Sequence, residues 1–149
     1  MNYAGHLTGG LVSAGIVGAT TLAVTGFHHP IVAGVCAITT LVMALYPDLD
    51  NASIPSKQSF IIGIPAIIIL MLLHHVPQAM MVLAFIAVPK MFKHRGFVHT
   101  LRFGAMATVL WIILLSSLSH YIPMNYIFIF ISGIIGYFTH LLLDSHVRL

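Results

Sequence analysis

Four long apolar runs, 7–27, 31–46, 101–118 and 122–143, decide what this chain can become. A helix needs roughly 20 apolar residues to cross the hydrocarbon core of a bilayer. Inside that core every backbone N–H and C=O must find its partner within the protein, which leaves helices or closed barrels. Unbroken apolar runs of this length suit helices. Only 6% of the residues are charged, against about 25% in a soluble domain. Six Lys and Arg with three acids cannot coat a globule in water. The expectation is an all-α polytopic membrane bundle, with residues 1–149 as a single integral membrane domain.

Turn and polar signals divide the chain. They predict helices at 7–26 and 31–46, a polar loop over 48–59, two shorter runs at 60–73 and 76–89, and helices at 101–118 and 122–143. The fold expected is therefore about four long spans plus a short middle helical pair, spanning or re-entrant. The first six residues carry no Lys or Arg, so no cleaved signal peptide is expected. Cys36 is the single cysteine and can form no internal disulfide. Gly10, Ala14 and Gly18 recur every fourth residue, a spacing that lets helices approach closely.

If the middle pair returns to the side it left, one side receives His6, the loop at Asp48, the 94–100 stretch and the end of the last helix. The same side receives Lys57, Lys90, Lys93, Arg95, Arg102 and Arg148, all the basic residues of the chain. Lys and Arg mark the cytoplasmic side. The prediction is a multi-pass protein of a bacterial-type inner membrane with a cytoplasmic N-terminus. Membrane lipid is its expected environment. The sequence pI is near 9.3, but six cations are too few for a nucleic-acid face, and none is expected. Oligomeric state is not legible.

The acids are Asp48, Asp50 and Asp144, all next to predicted membrane helices. Acids near a span are costly and tend to be functional. His140 and Asp144 are four apart and share one helix face. Asp48 and Asp50 are two apart, which in an extended segment points both carboxylates one way. His94 and His99 are five apart, about 140° around a straight helix. A turn or helix start at Gly96 is expected to bring their rings together. His6 opens the first helix on the same side.

Seven candidate metal ligands thus gather at one face: His6, Asp48, Asp50, His94, His99, His140 and Asp144. Mixed imidazole and carboxylate suits a divalent metal, zinc first, with manganese, iron or nickel as alternatives. One ion or two would be accommodated. Asp50 and Asp144 are the candidate proton acceptors. Arg95 has the planar fork that matches phosphate oxygens. The plainer duties for these groups are a solvated turn at 48–50, a lipid-phosphate contact at 94–99 and a helix-end pair at 140–144. Their coincidence on one side favours the shared site. His28, His29, His74, His75 and His120 fall on the other side without a carboxylate, and read as interfacial.

A histidine before a Gly-rich helix, then Pro47-Asp48-Leu49-Asp50, then His94-Arg95-Gly96-Phe97-Val98-His99-Thr100, then Gly136-Tyr137-Phe138-Thr139-His140 through Asp144, resembles the YdjM-like family. Its members are described as LexA-binding, inner-membrane-associated metal-dependent hydrolases. The family's third motif is similar to His-Arg-Gly-x-Thr-His-Ser. Here Val98 stands in the Thr position, which removes a hydroxyl, and Thr100 in the Ser position. The resemblance spans nearly the whole chain. It implies a multi-helix membrane protein with hydrolase activity and leaves the substrate open.

The function expected is a membrane-embedded metal-dependent hydrolase acting on a phosphoester or other small-molecule or lipid-linked substrate. Asp50, Asp144 and Arg95 would be catalytic, and Arg95 and Thr100 would bind substrate. The alternatives are a metal-stabilised membrane scaffold and a metal transporter. Mid-depth positions lack the acids or paired histidines a transport path would need.

Overall fold

A computed structural model describes residues 3–50, 54–92, 96–118 and 125–144, excluding the side chains of Tyr3, Asp50, Ile54 and Pro55. All regular elements among them are helical. The helices are α1 (Tyr3–Val24), α2 (Pro30–Leu45), α3 (Ile54–Leu72), α4 (Val76–Ala87), α5 (Leu101–Leu118) and α6 (Tyr126–Leu143). Short 3-10 turns follow α2 (Tyr46–Asp50), follow α4 (Val88–Met91) and precede α5 (Phe97–His99). Four helical runs are long and apolar enough to cross a membrane: Ala4–Val24, Pro30–Leu49, Leu101–Leu118 and Tyr126–Leu143. The apolar parts of the middle pair, Ser56–Leu72 and Val76–Met91, are shorter than these, as expected.

Three helix starts differ from the sequence reading, and α1 begins at Tyr3 rather than near residue 7. Helix α3 starts at Ile54 rather than near residue 60. Pro55 lies in its first turn, where a missing N–H costs nothing and the fixed φ favours a helix. The polar stretch expected as a loop is therefore partly a helix start. Helix α6 begins at Tyr126, with the Asn125 side chain accepting from the Phe128 N–H. An N-cap carboxamide of this kind sets the start more sharply than hydropathy can.

The middle helices form an antiparallel hairpin. Lys90, just beyond α4, reaches Ser56 in the first turn of α3. The turn between them uses His74 at φ 60°, with His75 N–H bonded to Leu70 O and His74 N–H to Met71 O. That is the Schellman pattern, in which a left-handed residue closes a helix C-terminus. The same device ends α1 at Gly26, also at φ 60°. His28, His29, His74 and His75 are therefore exposed turn residues at the end of the bundle away from His6 and Asp144.

Helix α1 packs on α2 and α6, α2 on α6, α5 on α6 and α4, and α3 on α4. Lipid tails are as apolar as leucine, so close backbone approach carries much of this association. The small-residue stripe of α1 does face α2. A methyl group on Gly10 would lie 3.1 Å from Ala44 Cβ, and one on Gly18 would lie 3.2 Å from Ala37 Cβ. The α2–α6 crossing is tighter. A Cβ on Gly136 would lie 2.8 Å from the Thr40 carbonyl carbon and 2.9 Å from Thr40 Cα. Only glycine permits that approach. The larger buried core, including Met43, Tyr46, Phe85, Val98, Phe103, Tyr137 and Leu141, lies toward the end that carries His99 and His140.

Candidate metal centre

At that end the chain brings together residues from α1, α6 and two 3-10 turns. His6 is on the second turn of α1. Asp48 is in the turn after α2. His99 closes the turn before α5, and His140 and Asp144 end α6. All three imidazoles are buried, His140 completely.

The distances converge. His6 Nε2 lies 3.1 Å from Asp144 Oδ1. His140 Nε2 lies 3.5 Å from Asp144 Oδ2 and 3.8 Å from Asp48 Oδ1. His99 Nε2 lies 3.8 Å from Asp144 Oδ2. The His6 and His140 rings stack at 4.2 Å, and His99 stands edge-on to His140 at 5.5 Å. Nitrogen and oxygen ligands about 2.1 Å from one tetrahedral zinc lie about 3.4 Å from each other. The observed spacings bracket that value. Two triads, His6/His140/Asp144 and Asp48/His99/His140, are each compact enough to hold a metal ion.

His140 shows how the site is oriented. Its Nδ1 lies 2.9 Å from Ala44 O, a backbone acceptor, so Nδ1 carries the proton. In the neutral ring this leaves Nε2 with a lone pair, buried without a hydrogen-bond donor among the described residues and facing two carboxylates. A lone pair among anionic oxygens is unfavourable unless a cation sits between them. Metal-ligating histidines commonly donate their other N–H to a backbone carbonyl in this way. The His6 Nδ1 is likewise buried without a hydrogen-bond partner among the described residues. Burial works to raise the Asp144 carboxyl. Hydrogen bonding and electrostatic attraction around it outweigh this and hold it below the usual carboxylate range.

The scaffold explains why these side chains meet. Ser132, Gly136 and His140 lie four apart on α6, and Thr40 Oγ1 donates to Ser132 O at 3.1 Å. Gly136 then lets α2 approach closely enough for Ala44 O to meet His140 one turn later. The Tyr137 hydroxyl donates to Val98 O, tying α6 to the His99 turn. Val98 is fully buried in the apolar core, which accounts for an aliphatic side chain at that position. The Tyr46 hydroxyl donates to Phe85 O at 2.9 Å and anchors the Asp48 turn on α4.

Five of the seven predicted ligands, His6, Asp48, His99, His140 and Asp144, thus meet. His94 and Arg95, and the side chain of Asp50, lie outside the described residues. The 46–50 backbone is 3-10 rather than extended. The direction of the Asp50 carboxylate relative to Asp48 lies outside the described residues. The break expected at Gly96 is present, as the residue preceding the Phe97–His99 turn. The Thr100 hydroxyl accepts from Phe103 N–H at 3.2 Å and donates to Phe97 O at 2.8 Å. It caps α5, a duty the sequence reading did not assign. Ala44 O, Gly136, Tyr137 and Tyr46 were also missed. The small residues Ser132 and Gly136, spaced four apart and one turn before His140, were the available signal.

No curated protein and no solved structure is significantly similar to the chain. The family model described as YdjM inner membrane protein matches residues 1–148. With four apolar helices of membrane-crossing length and that match over nearly its whole length, the chain is a multi-pass membrane protein belonging to the YdjM inner membrane protein family.

Proposed function

We propose that this protein is a metal-dependent hydrolase embedded in the inner membrane, with its His/Asp centre at the cytoplasmic face. The observation that carries the reading is the lone pair of His140 Nε2, buried between the carboxylates of Asp48 and Asp144. Two carboxylates would neutralise a divalent ion, which suits a site of low dielectric. Zinc fits the three imidazoles and two carboxylates best, and manganese, iron and nickel remain alternatives.

The two triads share one donor atom, His140 Nε2, because Nδ1 is engaged by Ala44 O. One imidazole lone pair serves one ion. The described donors therefore support a single ion, and a second would need His94 or Asp50. A bound divalent metal supplies a lowered pKa for water and polarises a phosphoryl or acyl oxygen. Asp144 is kept ionised and is placed to accept a proton, a role Asp50 would share. Arg95, next in sequence to the candidate ligand His94, would hold an anionic group of the substrate. A centre at the end of a membrane bundle favours an amphipathic phosphoester or lipid-linked substrate. The cytoplasmic placement rests on the six Lys and Arg.

The test is metal content and turnover of protein purified in mild detergent, for wild type, Asp48→Ala and His140→Gln. We expect one zinc per chain in wild type, lost in both variants, with phosphoester hydrolysis that requires the metal. A folded wild type that takes up no zinc, manganese, iron or nickel would remove the reading. Stoichiometric metal without turnover would leave a metal-stabilised scaffold, and zinc flux into proteoliposomes would indicate a transporter.

A further inference from the structure

Lys90 entered the sequence reading only as a marker of the cytoplasmic side. A lysine with that duty alone extends its ammonium toward water or lipid phosphates. In the structure the side chain is half-buried and its head turns back onto the protein. Nζ donates to Leu49 O at 2.8 Å and to Ser56 Oγ, and lies 4.6 Å from the centre of the Phe60 ring. The 3-10 turn Val88–Met91, with Pro89 buried, directs the side chain inward.

Leu49 ends the helical run Pro30–Leu49. The last carbonyls of a helix lack intrahelical donors, and a cation there is favourable. Leu49 also directly follows Asp48. The Asp48 carboxylate stands 3.8 Å from His140 Nε2, carried on a short turn rather than on the helices that hold His6, His140 and Asp144. Its position depends on what pins that turn. Tyr46 pins the start through Phe85 O, and Lys90 pins the end through Leu49 O. Both anchors lie on α4 or the turn that follows it.

We infer that Lys90 is a positioning residue for Asp48, capping the carboxyl end of the α2 run and tying it to the start of α3. The consequence for metal rests on the reading of the centre given above; the anchoring of the turn does not.

The experiment titrates metal-free protein in detergent with Co²⁺, following the ligand-field spectrum, for wild type, Lys90→Met, Lys90→Arg and Gln78→Leu. Gln78 donates to Ser117 O and joins α4 to α5 away from Asp48. Lys90→Met should weaken Co²⁺ binding about 10–100-fold and alter the spectrum, as loss of an outer-shell partner does. Lys90→Arg should restore the spectrum and most of the affinity. Gln78→Leu should lower thermal stability while leaving the spectrum unchanged. Wild-type affinity and spectrum in Lys90→Met would overturn the inference. If Lys90→Met does not fold, Lys90→Leu takes its place, and wild-type affinity there overturns it equally.

Amide exchange over Tyr46–Asp50, measured without metal, separates the two claims. Faster exchange in Lys90→Met supports the anchor even if wild type binds no Co²⁺. Unchanged exchange refutes the anchor even if wild type binds Co²⁺ well.

Discussion

Gly136→Ala tests whether the α2–α6 crossing sets the centre. The added Cβ would collide with the Thr40 carbonyl oxygen, its nearest neighbour, and stand 2.8 Å from the carbonyl carbon and 2.9 Å from Cα, all backbone atoms. Ordinary carbon contacts begin near 3.4 Å. Relief therefore needs a separation of at least about 0.6 Å between two helices, since no flexible side chain can yield. His140 and Ala44 lie one turn further along, joined at 2.9 Å. Adding the same displacement takes that contact to about 3.5 Å, where a hydrogen bond is effectively lost. The expected cost is about 1–3 kcal/mol in stability from overpacking. Zinc affinity should fall about 10–100-fold, because His140 loses the partner that orients it. The assay is zinc competition against a chromogenic chelator in detergent, beside a thermal melt. Gly34→Ala is the control, since a Cβ there meets nothing within 4 Å. It should leave affinity unchanged and stability within about 1 kcal/mol. Wild-type zinc affinity in Gly136→Ala would show that the crossing does not set the geometry of His140.

Tyr137→Phe should lose about 1–3 kcal/mol, because Val98 O is left buried without its donor, and should loosen the His99 turn; an unchanged melt would refute that. Asp144 is held below the usual carboxylate range, so its stabilising charge is present above that range and is lost only as pH falls through its lowered value. Asp144→Asn should therefore weaken zinc binding at pH 7 and at pH 5 alike, because the carboxylate it removes is ionised at both. Weakening at pH 7 that disappears at pH 5 would contradict the assignment. In a Cys36→Ser background, a cysteine at Lys57 should label with an impermeant thiol reagent only from the cytoplasmic side, and one at His74 only from the opposite side. The reverse pattern would invert the topology and move the centre to the outer face.

The membrane class, the six helices and the end at which the chemistry gathers were legible in the linear sequence. Hydropathy reports burial in lipid directly, and pairs of apolar runs carry the chain back to the end it left. The pairing of His140 with Asp144 was legible too, because positions four apart share a face in any helix. The Asp48–Asp50 turn was not. A residue after proline reads as readily extended as 3-10, and Tyr46 and Lys90, which hold the turn, find their acceptors 39 and 41 residues away. The fixed orientation of His140 was likewise invisible, since it depends on Ala44 O, a backbone atom 96 residues distant. Composition and periodicity determined which residues could serve and which end of the bundle they share. Only the tertiary structure, through Gly136 and the contacts of α2, α4 and α6, decided which of their atoms meet, because those distances are set by helix crossings between segments far apart in the chain.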